Sequence, residues 1–201
     1  MDRDVEIRRL LELMPASGRM LTKIIDKPQQ SKLIDYKFPR PWERGDRLIA
    51  INFQLWQRLA ESQRDLLLLS VVCRLTGIRW FKPDIYQGLT LVGLGGVALQ
   101  LWQKDAVGLV VAASLTAIAA NQIWQNYRST ERELEADETA IKVAIRRGYS
   151  ATDAANNLRI AIEKTAEIEN RGGLSFTDLI RCQNLRVKIG NPVNTLDISK
   201  T

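Results

Sequence analysis

Val5, Ile7, Leu10, Leu11, Leu13 and Met14 recur at helical spacing, which predicts a short amphipathic helix over Val5–Met14. Pro15 and Gly18 interrupt it, and a second short helix is expected from Arg19 to Ile25, closed by Lys27-Pro28. Residues 33–47 contain Pro39 and Pro41 and lack helical periodicity, so they read as an irregular or partly extended connection. Leu48-Ile-Ala-Ile-Asn52 is the strand candidate. Phe53–Leu59 then leads into a helix expected over Trp56–Leu75, ending near Gly77.

The pattern changes after Tyr86. Between Gln87 and Trp124 the charged residues are Lys104 and Asp105, adjacent at the midpoint. The flanking arms, Gln87–Trp102 and Ala106–Trp124, are rich in glycine and alanine, and each could form a helix of roughly 24–28 Å. Tyr86, Trp124 and Tyr127 lie at one end of this apolar hairpin and Trp102 at the other, like an interfacial belt. Small residues weaken a helix in water but let helices approach closely in lipid, which favours membrane insertion. The first arm is short for a span, and Asn121 and Gln122 are polar, which favours a hairpin buried in protein. From Arg128 to Arg147 the pattern is strongly charged and helical, with Gly148-Tyr-Ser150 as a break. A further helix is expected from Ser150 or Thr152 to about Asn170. After Gly172-Gly173, Ser175 caps a last helix running to Leu185 or Lys188. Asn191-Pro192 onward reads as a tail.

Length adds that 201 residues are most simply a single domain able to bury a core. The formal charge of +6 suggests acidic partners, but the basic residues are dispersed and no nucleic-acid-binding motif accompanies them. Specific nucleic-acid binding is therefore not expected. Cys73 and Cys182 form no disulfide framework and sit in apolar helical patterns, where a free thiol is a small buried hydrophobe. The charged N-terminus, Met1-Asp-Arg-Asp-Val-Glu-Ile-Arg-Arg, lacks the apolar core of a signal peptide.

Two segments carry a resemblance. Leu59-Ala-Glu-Ser-Gln-Arg-Asp-Leu-Leu-Leu-Leu-Ser-Val-Val-Cys-Arg-Leu75 is similar to the active-site helix of gluzincin-type membrane peptidases, the CAAX prenyl protease and heat-shock membrane protease group. That helix reads Arg-Asp-x-Leu-Leu-x-His-Glu-x-x-His in the family. Ser129-Thr-Glu-Arg-Glu133-Leu-Glu-Ala136-Asp137 resembles the family's later Ser-Arg-x-x-Glu-x-x-Ala-Asp helix, whose Glu is the third zinc ligand. Met14–Met20, Gln63–Leu69 and Leu174–Arg186 also resemble signatures of an uncharacterised cyanobacterial family. The peptidase resemblance implies a metallopeptidase-like helical scaffold whose chemical positions are degenerate: Ser70, Val71 and Arg74 replace two ligands and the base, while Glu133 and Asp137 persist. The chain contains no histidine. Catalytic zinc needs several ligands, an open position and a proton acceptor, so no catalysis, metal or cofactor is expected. The resemblance also places Arg74 toward Glu133, where an ion pair could crosslink the helices in place of a metal.

The expected fold is mainly α with a small β element and an apolar two-helix hairpin. The expected function is a non-catalytic membrane protein that binds another polypeptide, as a scaffold or as an assembly or stability factor for a membrane complex. The cyanobacterial likeness makes the thylakoid the candidate membrane. The lysines and arginines outside the hairpin would keep both termini cytoplasmic. The competing expectation is a soluble helical interaction module, with the hairpin in its core or in a dimer interface.

Overall fold

The computed structural model describes residues 2–37, 45–77, 114 and 130–190. The chain divides into two compact units, Met1–Gly77 with Glu133–Thr201, and Ile78–Arg132. The first unit holds almost every described residue. Its elements are α1 (Arg3–Leu13), α2 (Ala16–Leu21), β1 (Thr22–Asp26), β2 (Ile34–Tyr36), β3 (Arg47–Ile51), α3 (Phe53–Trp56) and α4 (Glu61–Thr76). After them come α5 (Thr130–Ile145), which enters the first unit at Glu133, α6 (Ala151–Ile168) and α7 (Phe176–Gly190). The unit is thus mainly helical with a small sheet.

The three strands lie in the order β1-β3-β2, with β3 parallel to β1 and antiparallel to β2. Residues 22–25, expected to be helical, form a strand instead. Their apolar spacing suits a helix, but Ile24 and Ile25 are β-branched and pair with Ile49 and Ala50, so sheet pairing outweighs the local pattern. β2 emerges inside the segment read as irregular or partly extended. The expected Trp56–Leu75 helix is two helices, separated at residues 57–60, and Gln63 Oε1 accepts the Ala60 N–H (3.1 Å) at the start of α4.

Helix α4 is the centre of the unit. Leu66 through Cys73 are all buried, the mark of a helix covered on every side. Leu67, Leu68, Val71, Val72 and Leu75 pack into a core with Leu10 and Met14 of the N-terminal segment, Ile24, Ile49 and Ile51 of the sheet, and Trp56. Leu66, Leu69 and Cys73 pack into a second core with Ala140 and Ala144 of α5, Leu158 and Ile162 of α6, and Leu185 of α7.

The C-terminal helices are set by their ends. Asp153 N–H donates to Ser150 Oγ (3.0 Å) and Asp178 N–H to Ser175 Oγ (3.1 Å), which caps α6 and α7. After α5, Gly148 takes φ +99°, while Gly148 N–H bonds Ile145 O (3.1 Å) and Tyr149 N–H bonds Ala144 O (3.2 Å). This left-handed stop reverses the chain and delivers Tyr149 back toward α4.

Among the described residues, no helix is long and apolar enough to cross a membrane. The hairpin expected over Gln87–Trp124, with its edges at Tyr86, Trp102, Trp124 and Tyr127, lies outside the described residues apart from Ser114, as does the expected tail.

Candidate functional site: two buried charge clusters around one helix

Covering α4 on all sides buries its polar side chains too, and each must then find a partner. One cluster forms near its C-terminal half. Ser70 Oγ donates to Asp137 Oδ1 of α5 at 2.6 Å. Arg181 of α7 grips the same carboxylate in a fork, Nε to Oδ2 and Nη2 to Oδ1, both at 2.8 Å. Its Nη2 also donates to Ser70 Oγ at 3.2 Å. One turn further along α4, Arg74 Nη1 lies 2.6 Å from Glu133 Oε1 and 2.6 Å from the Tyr36 hydroxyl, to which it donates. The Arg74 guanidinium also sits over the Tyr36 ring, 5.6 Å from its centroid.

Arg181 joins these contacts into one network. Its Nη1 lies 3.4 Å from Glu133 Oε2 and 3.6 Å from Asp178 Oδ1. Asp178 in turn accepts from Arg171 (3.0 Å) and Ser175 (2.8 Å), and Arg171 pairs with Glu169 at 3.0 Å. Glu169 Oε1 accepts the backbone N–H of Leu33 at 2.7 Å, beside β2. Burial would weaken the protonated form of Arg181, but the charge and hydrogen bonds of Asp137, with Glu133 and Asp178, hold it more firmly protonated than usual. Burial raises the Tyr36 phenol above its ordinary range despite the nearby Arg74.

Of the residues singled out by sequence, the structure brings Ser70 to Asp137 and Arg74 to Glu133. Val71 turns away from both pairs into the core between α4 and the sheet. Arg181, Tyr36 and Asp178 were not singled out. Arg181 is 111 residues from Ser70 in sequence, so no local spacing could have announced it.

A second cluster lies at the N-terminal half of α4. Arg9 of α1 grips Glu6 through Nε and Nη2, both at 2.9 Å, and its Nη1 lies 2.6 Å from Asp65. Glu6 also accepts from Arg64 (2.8 Å) and from the Trp56 indole (3.3 Å), and Tyr149 donates to Asp65 Oδ2 at 2.8 Å. Burial alone would raise the Glu6 carboxyl, but Arg9 and Arg64 bring it below the usual carboxylate range. Asp65 goes the other way, raised by burial. Both thiols are buried and pushed up, Cys73 to about 12 and Cys182 to about 11, which leaves little thiolate at neutral pH. Among the described residues, no group of acidic and cysteine side chains is arranged to hold a metal ion.

A family model described as "Protein of unknown function (DUF3318)" matches residues 8–149, which include α4, the α5 side of the first cluster and all of the second except Glu6. The chain belongs to this family. A relative, "Thylakoid membrane protein slr1949" of Synechocystis sp., is 30% identical over 167 residues, covering 81% of this chain and 77% of the relative. No solved structure matches the DUF3318 chain.

These findings overturn the gluzincin peptidase resemblance, since nothing in them points to that family. The geometry explains why the likeness arose. In the Gln-Arg-Asp run, Gln63 binds the first amide of its own helix, Arg64 holds Glu6, and Asp65 holds Arg9 and Tyr149. In the Glu-x-x-Ala-Asp run, Ala136 packs in the core and Asp137 anchors α7. In this chain both motifs serve packing and ion pairing between elements, in a helical spacing that unrelated helices share.

Proposed function

We propose that the chain is a non-catalytic scaffold at the thylakoid membrane, which binds another polypeptide as an assembly or stability factor for a membrane complex. The observation that carries this reading is the first charge cluster. Ser70, Arg74, Glu133, Asp137 and Arg181 are mutually paired in a site that joins β2, α4, α5 and α7. A reacting group needs a free lone pair or proton facing a substrate. Here the polar groups face one another, and their geometry is that of a crosslink. A framework stiffened in this way suits holding a partner surface in a fixed shape. The name of the Synechocystis relative supports the membrane location.

Fractionation of native membranes followed by affinity purification in mild detergent tests the proposal. The expected result is recovery with the thylakoid fraction and co-purification of one membrane-complex subunit in a fixed ratio, with loss of that complex on deletion of the gene. Turnover of peptide or ester substrates by the purified chain would sink the non-catalytic reading. Recovery in the soluble fraction alone would sink the membrane reading.

The mode of attachment is a separate question. If Gln87–Trp124 inserts as a hairpin, an alkaline carbonate wash leaves the chain in the membrane. Release by carbonate would support the soluble-module reading.

A further inference from the structure

The outer face of the sheet is the surface least explained by either charge cluster. Strand alternation turns Ile24, Ile49 and Ile51 into the core, so Lys23 and Ile25 of β1 and Leu48 of β3 point the other way. Lys23 and Leu48 are register partners on that face. Leu48 is 51% exposed, and Met20 and Leu21, at the entry to β1, are 79% and 40% exposed. The face hollows into a groove of about 420 Å³ floored by Ile25, Leu48 and Ala50, with Lys27 and Lys37 on its rim. The acids there are Asp35 and Asp46, and Asp35 already holds Lys32 at 2.9 Å. Arg47 is turned to the Leu75 carbonyl of α4.

We propose that this face docks on an anionic lipid surface, with Met20, Leu21 and Leu48 at the headgroup boundary and Lys23, Lys27 and Lys37 against the lipid phosphates. The chemistry of the face selects a lipid over a protein. Protein interfaces are enriched in aromatic residues, methionine and arginine and depleted in lysine, whereas the projecting groups here, Met20 apart, are aliphatic side chains and lysines. Lysine meets phosphate as a mobile point charge, without the planar fork that recognises a fixed carboxylate. Exposed apolar side chains ringed by lysine gain from burial at a bilayer interface and from the surface potential together. The inference rests on the reading of membrane association, and it adds which surface meets the lipid.

The test uses the full chain with vesicles of phosphatidylcholine alone and with phosphatidylglycerol added. Flotation is expected on the anionic vesicles, weakened by salt. The triple variant Lys23→Glu, Lys27→Glu, Lys37→Glu is expected to bind at least about tenfold more weakly, since each lysine near an anionic surface contributes about a factor of five. A polarity-sensitive dye on Leu48→Cys is expected to shift to the blue on anionic vesicles. The same dye on Leu179→Cys, an exposed position of α7, is the comparison, and the native thiols are buried. The dye readout serves whether or not the chain is anchored elsewhere. A triple variant that floats like the parent, or an unchanged spectrum at position 48, overturns the lipid face while leaving membrane association standing. A parent that ignores anionic vesicles yet fractionates with native membranes also overturns it. Absence from both vesicles and native membranes removes the membrane reading as well.

Discussion

Asp137 is 1% exposed, and Arg181 and Ser70 occupy its carboxylate oxygens. Such a pair is costly to break from one side, because the remaining charge is stranded in the core. Arg181→Met alone is expected to lower stability by about 3–5 kcal/mol, and Asp137→Leu alone by a similar amount. The double variant should recover much of that loss, because neither charge is then left buried. Urea unfolding of all four proteins measures the coupling. Additive losses would mean that the fork does not act as a unit. At this scale the sequence was partly legible. Arg74 and Glu133 could be named only through the peptidase resemblance, which the family match overturns, and not from the spacing of the residues themselves. Arg181 could not, since its partners lie 44 and 111 residues away and α7 shows only an ordinary helical charge pattern. Glu6, Arg9 and Tyr149 were invisible for the same reason, as buried charge pairing depends on tertiary neighbours that local spacing does not encode.

At the scale of elements, the helices announced themselves by period and caps, as with Ser150 before α6 and Ser175 before α7. Of the strands, β3 did, as the Leu48–Asn52 candidate, but β1 and β2 did not. β2 is a short strand flanked by irregular residues, and β1 carries Ile24 and Ile25 at spacings from Met20 and Leu21 that fit a helix equally well. Only pairing with β3 decides the matter, and pairing is non-local. The α2–α4 contact offers a sharper case, because two effects oppose each other there. Gly18 lies inside α2, where alanine would ordinarily favour the helix by up to about 1 kcal/mol. A Cβ at this position would sit 2.7 Å from Val72 Cγ1 on the buried face of α4, with Met14 and Pro15 at 3.4 Å. The buried Val72 has no room to retreat, so overpacking is expected to win, at about 1–3 kcal/mol. Gly18→Ala should therefore lower the midpoint of urea unfolding. A variant more stable than the parent would show that α2 does not press on α4 as described.

At the scale of the molecule, α4 is clamped at both ends by charge, and within the N-terminal clamp two carboxyls respond to acid in opposite senses. The N-terminal clamp depends on Glu6, which is 5% exposed and bonded to Arg9, Arg64 and Trp56, so that it ties α1 to the rest of the unit. Its folded carboxyl titrates below its unfolded value, because the two guanidinium groups outweigh burial. Between those two values the unfolded chain binds the proton first, so stability rises with pH across that window and is lost as pH falls through it. Asp65 has the opposite sign. Burial raises it, so the folded state binds its proton first, and stability falls as pH climbs from its usual value to the raised one. The two shifts have opposite sign, so a variant that silences one carboxyl isolates the other. Glu6→Gln keeps the shape and removes the titration. The stability difference between parent and Glu6→Gln should be flat above about pH 5, where both folded and unfolded carboxyls are ionised, and should shrink steadily below about pH 4. Thermal or urea unfolding at a series of pH values reads this difference directly, and the contribution of Asp65 cancels because both proteins carry it. A difference that stays constant down to the acid limit would mean that Glu6 enters the folded state unperturbed, and that α1 is held to α4 by the Arg9–Asp65 pair and apolar contacts instead.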